Sequence, residues 1–297
     1  MASGSSDGGR RKVRATPLHS DHARLGARFG MFGPAEVVND YGIEFHEKLP
    51  LEEPLLTDLS FQGTIMVSGH DSQRFLQGML TADISALADV GRSCYALMLM
   101  SDAHALDIVY VARTGTEEYL IIADAPAEAD CAEWLSNNSR IELEGEPLFP
   151  DVQVEDQTGK LATICLMGPG AVAILEDLAG VPRPYIGDSD IARDLERGIH
   201  LDEQIANVPM LMLADPAVED SILVFCSRPV ASPLWEALVG YGELQVVGFE
   251  QYVEIRKAKG LWLKGVDGSM LYTPSEAGLE HLLRDGGGFV GARAIGG

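Results

Sequence analysis

Cationic residues are scarce for a chain of this size: 22 Lys and Arg stand against 45 Asp and Glu over 297 residues, a formal charge of −23. Such a surface repels phosphate, which excludes nucleic acid or an anionic membrane as the main partner. Long apolar runs are missing too, and none approaches the ~20 residues of a membrane-spanning helix. Cysteine is sparse. Cys94, Cys131, Cys165 and Cys226 are far apart, with no C-x-x-C pair and no histidine at metal spacing. They read as buried free thiols, not as a disulfide frame or metal site. No P-loop, no G-x-G-x-x-G after a strand, no H-E-x-x-H and no G-x-S-x-G occurs. What is present in quantity is ordinary globular material. Hydrophobic residues make up 46% and charged residues 23%, which excludes global disorder. The expectation is an acidic, cytoplasmic globular protein with enough chain to bury a sizeable core.

The charge is unevenly placed. Arg10, Arg11, Lys12, Arg14, Arg24 and Arg28 outweigh Asp7 and Asp21, so residues 1–30 carry +4 and residues 31–297 carry −27. The Gly/Ser-rich opening Met1–Gly9 has no periodicity, and residues 1–30 read as a flexible basic tail. Arg10-Arg11 is not followed by the apolar segment an export signal needs, although a basic transit peptide stays open. The tail's charge also suits it to lie against the acidic body.

From Leu55 onward short strands and helices alternate. Thr64–Ser68 reads as a strand ending in Gly69, with Asp71 as N-cap of a helix Ser72–Leu80 that sets Phe75, Leu76, Met79 and Leu80 at helical spacing. Tyr95–Met100, Asp107–Arg113 and Tyr119–Ala123 are strand-like, and Pro126–Ser136 has helical period with Trp134 and Leu135 inward. The second half repeats this plan. Leu161–Met167 runs through Gly168 into a helix Ala171–Leu178, Met210–Ala214 and Ser221–Cys226 are strands, and Pro233–Val239 is a helix. Strand–Gly–helix at both Val67–Gly69 and Leu166–Gly168 suggests an internal repeat. The fold class is α+β, with residues 31–294 forming two similar lobes, 31–140 and 141–294, joined by a crossing segment at 140–160.

Chemistry is sought in polar residues set within apolar stretches. Asp107 begins the run Asp107–Val111, and a carboxylate there either caps a turn at a strand edge or is used. His104, three residues earlier, is either its partner or a solvated turn residue. Arg256, beside a face made by Tyr252, Ile255 and Lys259, is either a surface cation or a buried one. Spacing alone does not name a reaction.

Longer stretches say more. Asp58-Leu-Ser-Phe-Gln-Gly63 leads into Ile65-Met-Val-Ser-Gly69-His-Asp71 and then Phe75-Leu-Gln-Gly-Met-Leu-Thr81-Ala-Asp83-Ile84. Gly91-Arg-Ser-Cys-Tyr95, Leu166-Met-Gly-Pro-Gly-Ala171, Gly248 through Ile255-Arg256-Lys-Ala-Lys-Gly260, Gly265-Val-Asp267, Thr273-Pro274, Glu276-Ala-Gly-Leu279 and Phe289-Val-Gly291 follow in order. This ordered set, over about residues 55–294, resembles the folate-dependent aminomethyltransferase family, the glycine cleavage system T protein and its relatives. The resemblance implies a tetrahydrofolate site in a central cavity between the lobes and transfer of a methyl or aminomethyl unit to or from a small molecule.

Residue by residue, Asp107 matches the family's catalytic aspartate in "A-G-G-h-h-D-D". Its role would be to orient the cofactor and handle a proton while the one-carbon unit moves. The second Asp of that motif is Ile108 here, and its two glycines are Ala103 and His104. Asp124 matches a family Asn, Arg256 matches a family Arg, and Tyr95 would help position the ligand. The pterin-gripping glutamate has no counterpart in place, so Asp215 or Glu219 would substitute. Two alternatives stay open. One is a repurposed enzyme using Asp107, with His104 as a second titrating group, on another small molecule without folate. The other is a folate-binding accessory protein, although Lys264-Gly265-Val266 lacks the cysteine such relatives carry. Family members usually continue past Phe289-Val-Gly291 into a C-terminal barrel domain. Its absence from this sequence leads us to expect an uncovered apolar face, which a homodimer would cover.

Overall fold

The computed structural model describes residues 13–42, 51–178, 201–205, 208–218, 220–242, 244–266 and 271–295. Helix α1 (His19–Arg24) and the start of strand β1 (Arg28–Phe32) fall within the expected tail, and β1 pairs as an antiparallel hairpin with β2 (Ala35–Asp40) just beyond it. The expectation of a flexible arm reaching Gly30 is thus corrected from Val13 onward, while residues 1–12 lie outside the described residues. The physical reason is that the segment's scarce cations find acids on the body. Arg14 grips both carboxylate oxygens of Glu128, at 2.5 and 2.7 Å, and the carbonyl of Phe61. Arg24 meets Asp21 and Glu236, and Arg28 chelates Asp40. Deeper in, the fully buried His22 ring bridges Asp58 through Nε2 (2.9 Å) and Tyr41 through Nδ1 (2.8 Å), and it stands edge-on to Trp235.

The body follows in two runs. The first is β3 (Leu55–Asp58), β4 (Gly63–Ser68), α2 (Ser72–Met79), β5 (Ser93–Leu99), β6 (Ala105–Gly115), β7 (Glu118–Ala123), α3 (Glu128–Asn138), a small hairpin of β8 (Glu142–Leu143) and β9 (Glu146–Pro147), and β10 (Gln153–Asp156). The second is β11 (Leu161–Met167), α4 (Ala171–Leu178), β12 (Leu201–Ile205), β13 (Val208–Ala214), β14 (Ile222–Ser227), α5 (Arg228–Gly240), β15 (Gln245–Val246), α6 (Phe249–Ala258) and α7 (Pro274–Ala277). Two larger sheets result, ordered β10-β4-β7-β6-β5 and β12-β13-β14-β11-β3-β15. Every pairing in them is antiparallel except β15 with β3.

The expected division near residue 140 is blurred by an exchange. β3 precedes the first sheet yet sits in the second, and β10 lies past the division yet edges the first. The segment after α6 also returns to the first sheet, where Leu261, Tyr272, Leu279 and Phe289 pack with Leu97, Leu99 and Ile108.

Period-two alternation decides which face each residue takes. On β6 and β7, Val109, Val111, Tyr119 and Ile121 face α2 and α3 and pack with Phe75, Leu76, Cys131 and Leu135. Their neighbours Tyr110, Ala112, Leu120 and Ile122 turn the other way, into one core with Cys165, Met167, Leu213, Leu223 and Phe225 of the second sheet. The outer face of that second sheet is covered by α4 and α5 through Leu175, Leu234, Trp235 and Leu238. The order of layers is helix, sheet, sheet, helix, and the cavity lies where the inner faces meet.

The repeat expected from the sequence has a backbone counterpart. Gly69, after β4, has φ +107°, and Gly168, after β11, has φ +95°. A side chain at either would run into a carbonyl oxygen, that of Asp151 at 2.3 Å or of Glu53 at 2.8 Å. Both strand-to-helix turns therefore require glycine, for conformation and for room. Among the described residues no helix is long and apolar enough to cross a membrane. The four cysteines are free, with Cys94 half-buried and the others buried.

Candidate active site

The cavity holds about 270 Å³ of space, counting its open mouth, and its lining includes Gln62, Tyr95, Tyr110, Asp124, Asp215 and Arg256. The first sheet supplies an aromatic wall, because Tyr95 of β5 and Tyr110 of β6 are cross-strand partners whose rings meet edge to face at 5.6 Å. Ile108 and Ile122 complete that wall on the same parity of β6 and β7. The second sheet brings Leu223 and, just past the end of β13, Asp215. Helix α6 delivers Tyr252 and Arg256 one turn apart.

Hydrogen bonds fix this arrangement. The Tyr95 hydroxyl donates to the Asp215 carboxylate at 3.1 and 3.2 Å, and the Ala217 N–H donates to the same group at 2.9 Å. Tyr110 donates to the Ala214 carbonyl at 3.0 Å. Arg256 donates to the Tyr252 hydroxyl at 3.3 Å and to the Trp262 carbonyl at 3.4 Å, with its guanidinium over the Tyr95 and Tyr252 rings. Burial raises the Asp215 carboxyl above the usual carboxylate range, opposed by the Ala217 N–H and the Arg256 charge. Burial also pushes Tyr95 up, so it remains a donor at neutral pH.

Asp107 is elsewhere. It stands opposite Met98, beside a register irregularity between β5 and β6, and the cavity lining includes the next residue, Ile108, rather than Asp107. Its side chain is completely buried. Oδ2 accepts the Asp124 N–H at 2.7 Å, and Oδ1 has no hydrogen-bond partner among the described residues. Burial first, then the Asp124 charge, holds this carboxyl well above the ordinary range, against the pull of Arg256 and Lys264. Lys264 is buried too and donates to the Leu106 carbonyl at 2.7 Å.

The sequence-based candidates therefore divide. Tyr95, Asp124, Asp215 and Arg256 converge on one cavity, and Asp107 is not among its lining residues but accepts the N–H of one of them, Asp124. His104 does not join them. It occupies the β5–β6 turn with its side chain 37% exposed, paired with Asp102 at 3.2 Å. That is the solvated-turn alternative, because the tight turn points its residues away from the sheets' inner faces. Glu219 lies outside the described residues. Sequence reasoning missed Gln62, Tyr110 and Lys264. For Lys264 a signal existed, a lone cation in the apolar run Leu261-Trp-Leu-Lys264. Among the described residues no group of His, Cys, Asp and Glu could hold a metal ion.

Comparison with known proteins agrees with this architecture. The family model described as the GCVT N-terminal domain matches residues 18–190. An aminomethyltransferase of Rubrobacter xylanophilus is 30% identical over 289 residues, covering 95% of this chain and 72% of the relative. One of Herpetosiphon aurantiacus is 29% identical over 286 residues, covering 95% and 74%. Among solved structures, the glycine cleavage system aminomethyltransferase T from Bartonella henselae superposes with a TM-score of 0.77 at 23% identity, over 96% of this chain and 74% of that one.

Proposed function

Because the chain belongs to the family of the GCVT N-terminal domain, we propose that it is a one-carbon transferase that moves a methyl or aminomethyl unit between a small molecule and tetrahydrofolate. The observation that carries this reading is the convergence of Gln62, Asp124, Asp215, Arg256 and three tyrosines on a single cavity between the two sheets. These groups fit a flat heterocycle edged with N–H donors. Tyrosine rings and inner-face aliphatics suit its faces, and carboxylates with the Gln62 amide suit its edge. Arg256, 3% exposed and lining the cavity, has its Nε without a partner among the described residues, a donor that a bound ligand would satisfy.

When bound, tetrahydrofolate would supply the nucleophilic nitrogen or the one-carbon unit itself. The chain's own residues would bind, orient and move protons. Tyr95 holds the Asp215 carboxylate in one orientation, as a group aligning a ligand edge must be held. The interlobe aliphatics exclude water around it. Arg256 stays charged and opposes build-up of negative charge as a proton leaves.

Calorimetric titration with tetrahydrofolate and its methyl and methylene forms tests the reading, with Arg256→Gln as comparison. The expected result is binding that weakens by about tenfold or more in the variant, as loss of a charge-assisted hydrogen bond implies. No binding at high micromolar ligand refutes it. One observation favours the second reading, a repurposed site for a smaller molecule: apolar Ile108 faces the cavity at the second position of the family's Asp pair. Binding of small amines or carboxylates without any reduced folate would select that reading.

A further inference from the structure

We infer that the N-terminal hairpin β1–β2 is a positioning element of the ligand site, with Phe32 and Gly33 at its tip setting three arms of the cavity wall that neither of them lines. The identity of the ligand rests on the folate reading above; the part played by the hairpin does not.

The lining residues Gln62, Asp124, Tyr252 and Arg256 come from a loop, a strand end and a helix that are far apart in sequence. Each of these arms meets the hairpin. The buried Phe32 ring stands edge to face with Phe61 at 5.8 Å and lies 4.8 Å from the Phe249 ring. Phe61 directly precedes Gln62, and its own ring meets Phe249 at 5.3 Å and Tyr252 at 6.2 Å, both edge to face. Phe249 opens α6, and Phe249, Tyr252 and Arg256 recur at helical spacing along one side of it. The third arm is reached through the turn. Gly33, at φ +57°, lies so close to Ala125-Pro126, just after Asp124, that a Cβ would come within 2.9 Å of the Pro126 nitrogen and Cα. At the far end of β2, Asn39 closes on the start of α6, where a Cβ on Gly248 would meet its carbonyl oxygen at 2.3 Å.

The hairpin is anchored by Arg14, which lies alongside it, bridged to Ala35. The Arg14 N–H donates to the Pro34 carbonyl and the Arg14 carbonyl accepts from the Glu36 N–H, both at 2.9 Å. Its guanidinium then holds the Phe61 carbonyl and the Glu128 carboxylate. The N-terminal segment thus fixes Phe61 by its ring and by its backbone. Edge-to-face rings fix orientation as well as distance, so the cluster makes a stiff support. Stiffness here bears on binding, because a ligand-facing group that shifts by a fraction of an ångström loses its aligned contact. Arg256 is the most sensitive reporter. Its donation to the Tyr252 hydroxyl, at 3.3 Å, is already at the long end of the usual range, so an outward shift of Tyr252 releases it.

The test uses Phe32→Leu, which keeps apolar bulk and removes the ring contacts, and Gly33→Ala, which drives the turn off Pro126. Leu175→Val on α4, over the outer face of the second sheet, is the control for lost stability. Each variant is followed by urea denaturation, by titration with tetrahydrofolate, and by the ¹⁵N–¹H resonance of the Arg256 Nε–H, assigned by its disappearance in Arg256→Lys. That resonance reports the seating of the guanidinium over the Tyr95 and Tyr252 rings. Both tip variants should shift it and should raise the dissociation constant by about fivefold or more. The control should keep the wild-type resonance and affinity whatever stability it loses. An unmoved resonance in either tip variant, or an equal shift in Leu175→Val, overturns the positioning role. So does wild-type affinity in both tip variants. If wild type binds no tetrahydrofolate, the folate reading fails, and the Arg256 resonance still decides the part played by the hairpin.

Discussion

Replacing His22 with alanine tests whether the N-terminal segment is an integral part of the fold. The imidazole is 0% exposed, and it bridges Asp58 at 2.9 Å and Tyr41 at 2.8 Å beside Trp235. Burial alone would raise the Asp58 carboxyl, yet the His22 hydrogen bond and charge, with Ser60 and Thr16, hold it below its ordinary value. His22→Ala strips this buried carboxylate of its largest favourable partner and leaves a void against Trp235. Leaving a buried carboxylate without a hydrogen-bond partner costs about 1–3 kcal/mol or more, a large share of the ~5–15 kcal/mol by which domains are stable. Urea denaturation followed by circular dichroism should show a loss in that range. Hydrogen exchange should speed up first at residues 13–40, whose attachment runs through this contact. A double-mutant cycle with Asp58→Asn should give a coupling of about 1 kcal/mol or more. A loss below about 1 kcal/mol, or faster exchange everywhere except residues 13–40, would refute the reasoning.

Two further outcomes follow from local geometry. Because the folded value of Asp58 is depressed, its contribution to stability is fully present above its unfolded value of about 3.9 and is lost as pH falls through the folded value. Asp58→Asn should therefore flatten the acid limb of a stability–pH curve, and an unchanged limb counts against the role. Ala103 holds φ +69° in the β5–β6 turn, so Ala103→Gly should stabilise by about 0.5–1 kcal/mol, the left-handed strain of roughly 1–2 kcal/mol less the glycine's greater unfolded-state freedom. A destabilised variant in thermal melts would contradict this.

Much of the fold was legible because strands and helices with one-sided burial announce their period. Leu161–Met167 and Ala171–Leu178 form where the pattern puts them. What was not legible depended on distant partners. The four-residue β3 carries too little pattern to be read alone, and its place between β11 and β15 is set by pairing with residues more than 100 positions away. Residues 13–30 read as a tail because nothing within them predicts Glu128 or Asp58 as anchors. Asp107 shows a subtler limit. Both faces of β6 are apolar, Val109 and Val111 on one side and Tyr110 and Ala112 on the other, so alternation gives two sets without saying which meets the cavity. Motif matching located Asp107, while the residue of this pair that lines the cavity is the next one, Ile108, beside an irregularity in the β5–β6 register that no local pattern announces. Arg256 was resolved the other way. Helical spacing placed it beside the Tyr252–Ile255 face, and α6 packs that side inward, which buries the cation.

The scarcity of cations bears on the ligand's charge. Most arginines with visible partners serve as clasps. Arg284 holds the carbonyls of Gln77, Leu80, Ala82 and Gly287, and Arg113 holds those of Leu87, Ala88, Gly115 and Thr116. Of the described residues lining the cavity only Arg256 is cationic, and it lies among Asp124, Asp215 and tyrosines, in a chain that is strongly acidic as a whole. Among the described residues, a folate bound by its ring would meet Arg256 at the wall, with Lys259 acting on Asp215 beside it. Against the −23 formal charge of the whole chain, lengthening an anionic tail adds repulsion. The affinity of monoglutamyl and polyglutamyl tetrahydrofolate, compared by titration at low and moderate salt, should agree within a few-fold and favour the monoglutamyl form at low salt, where repulsion is least screened. A tenfold or greater gain for the polyglutamyl form, which corresponds to about 1.4 kcal/mol, would mean that cations outside the cavity wall gather around the tail.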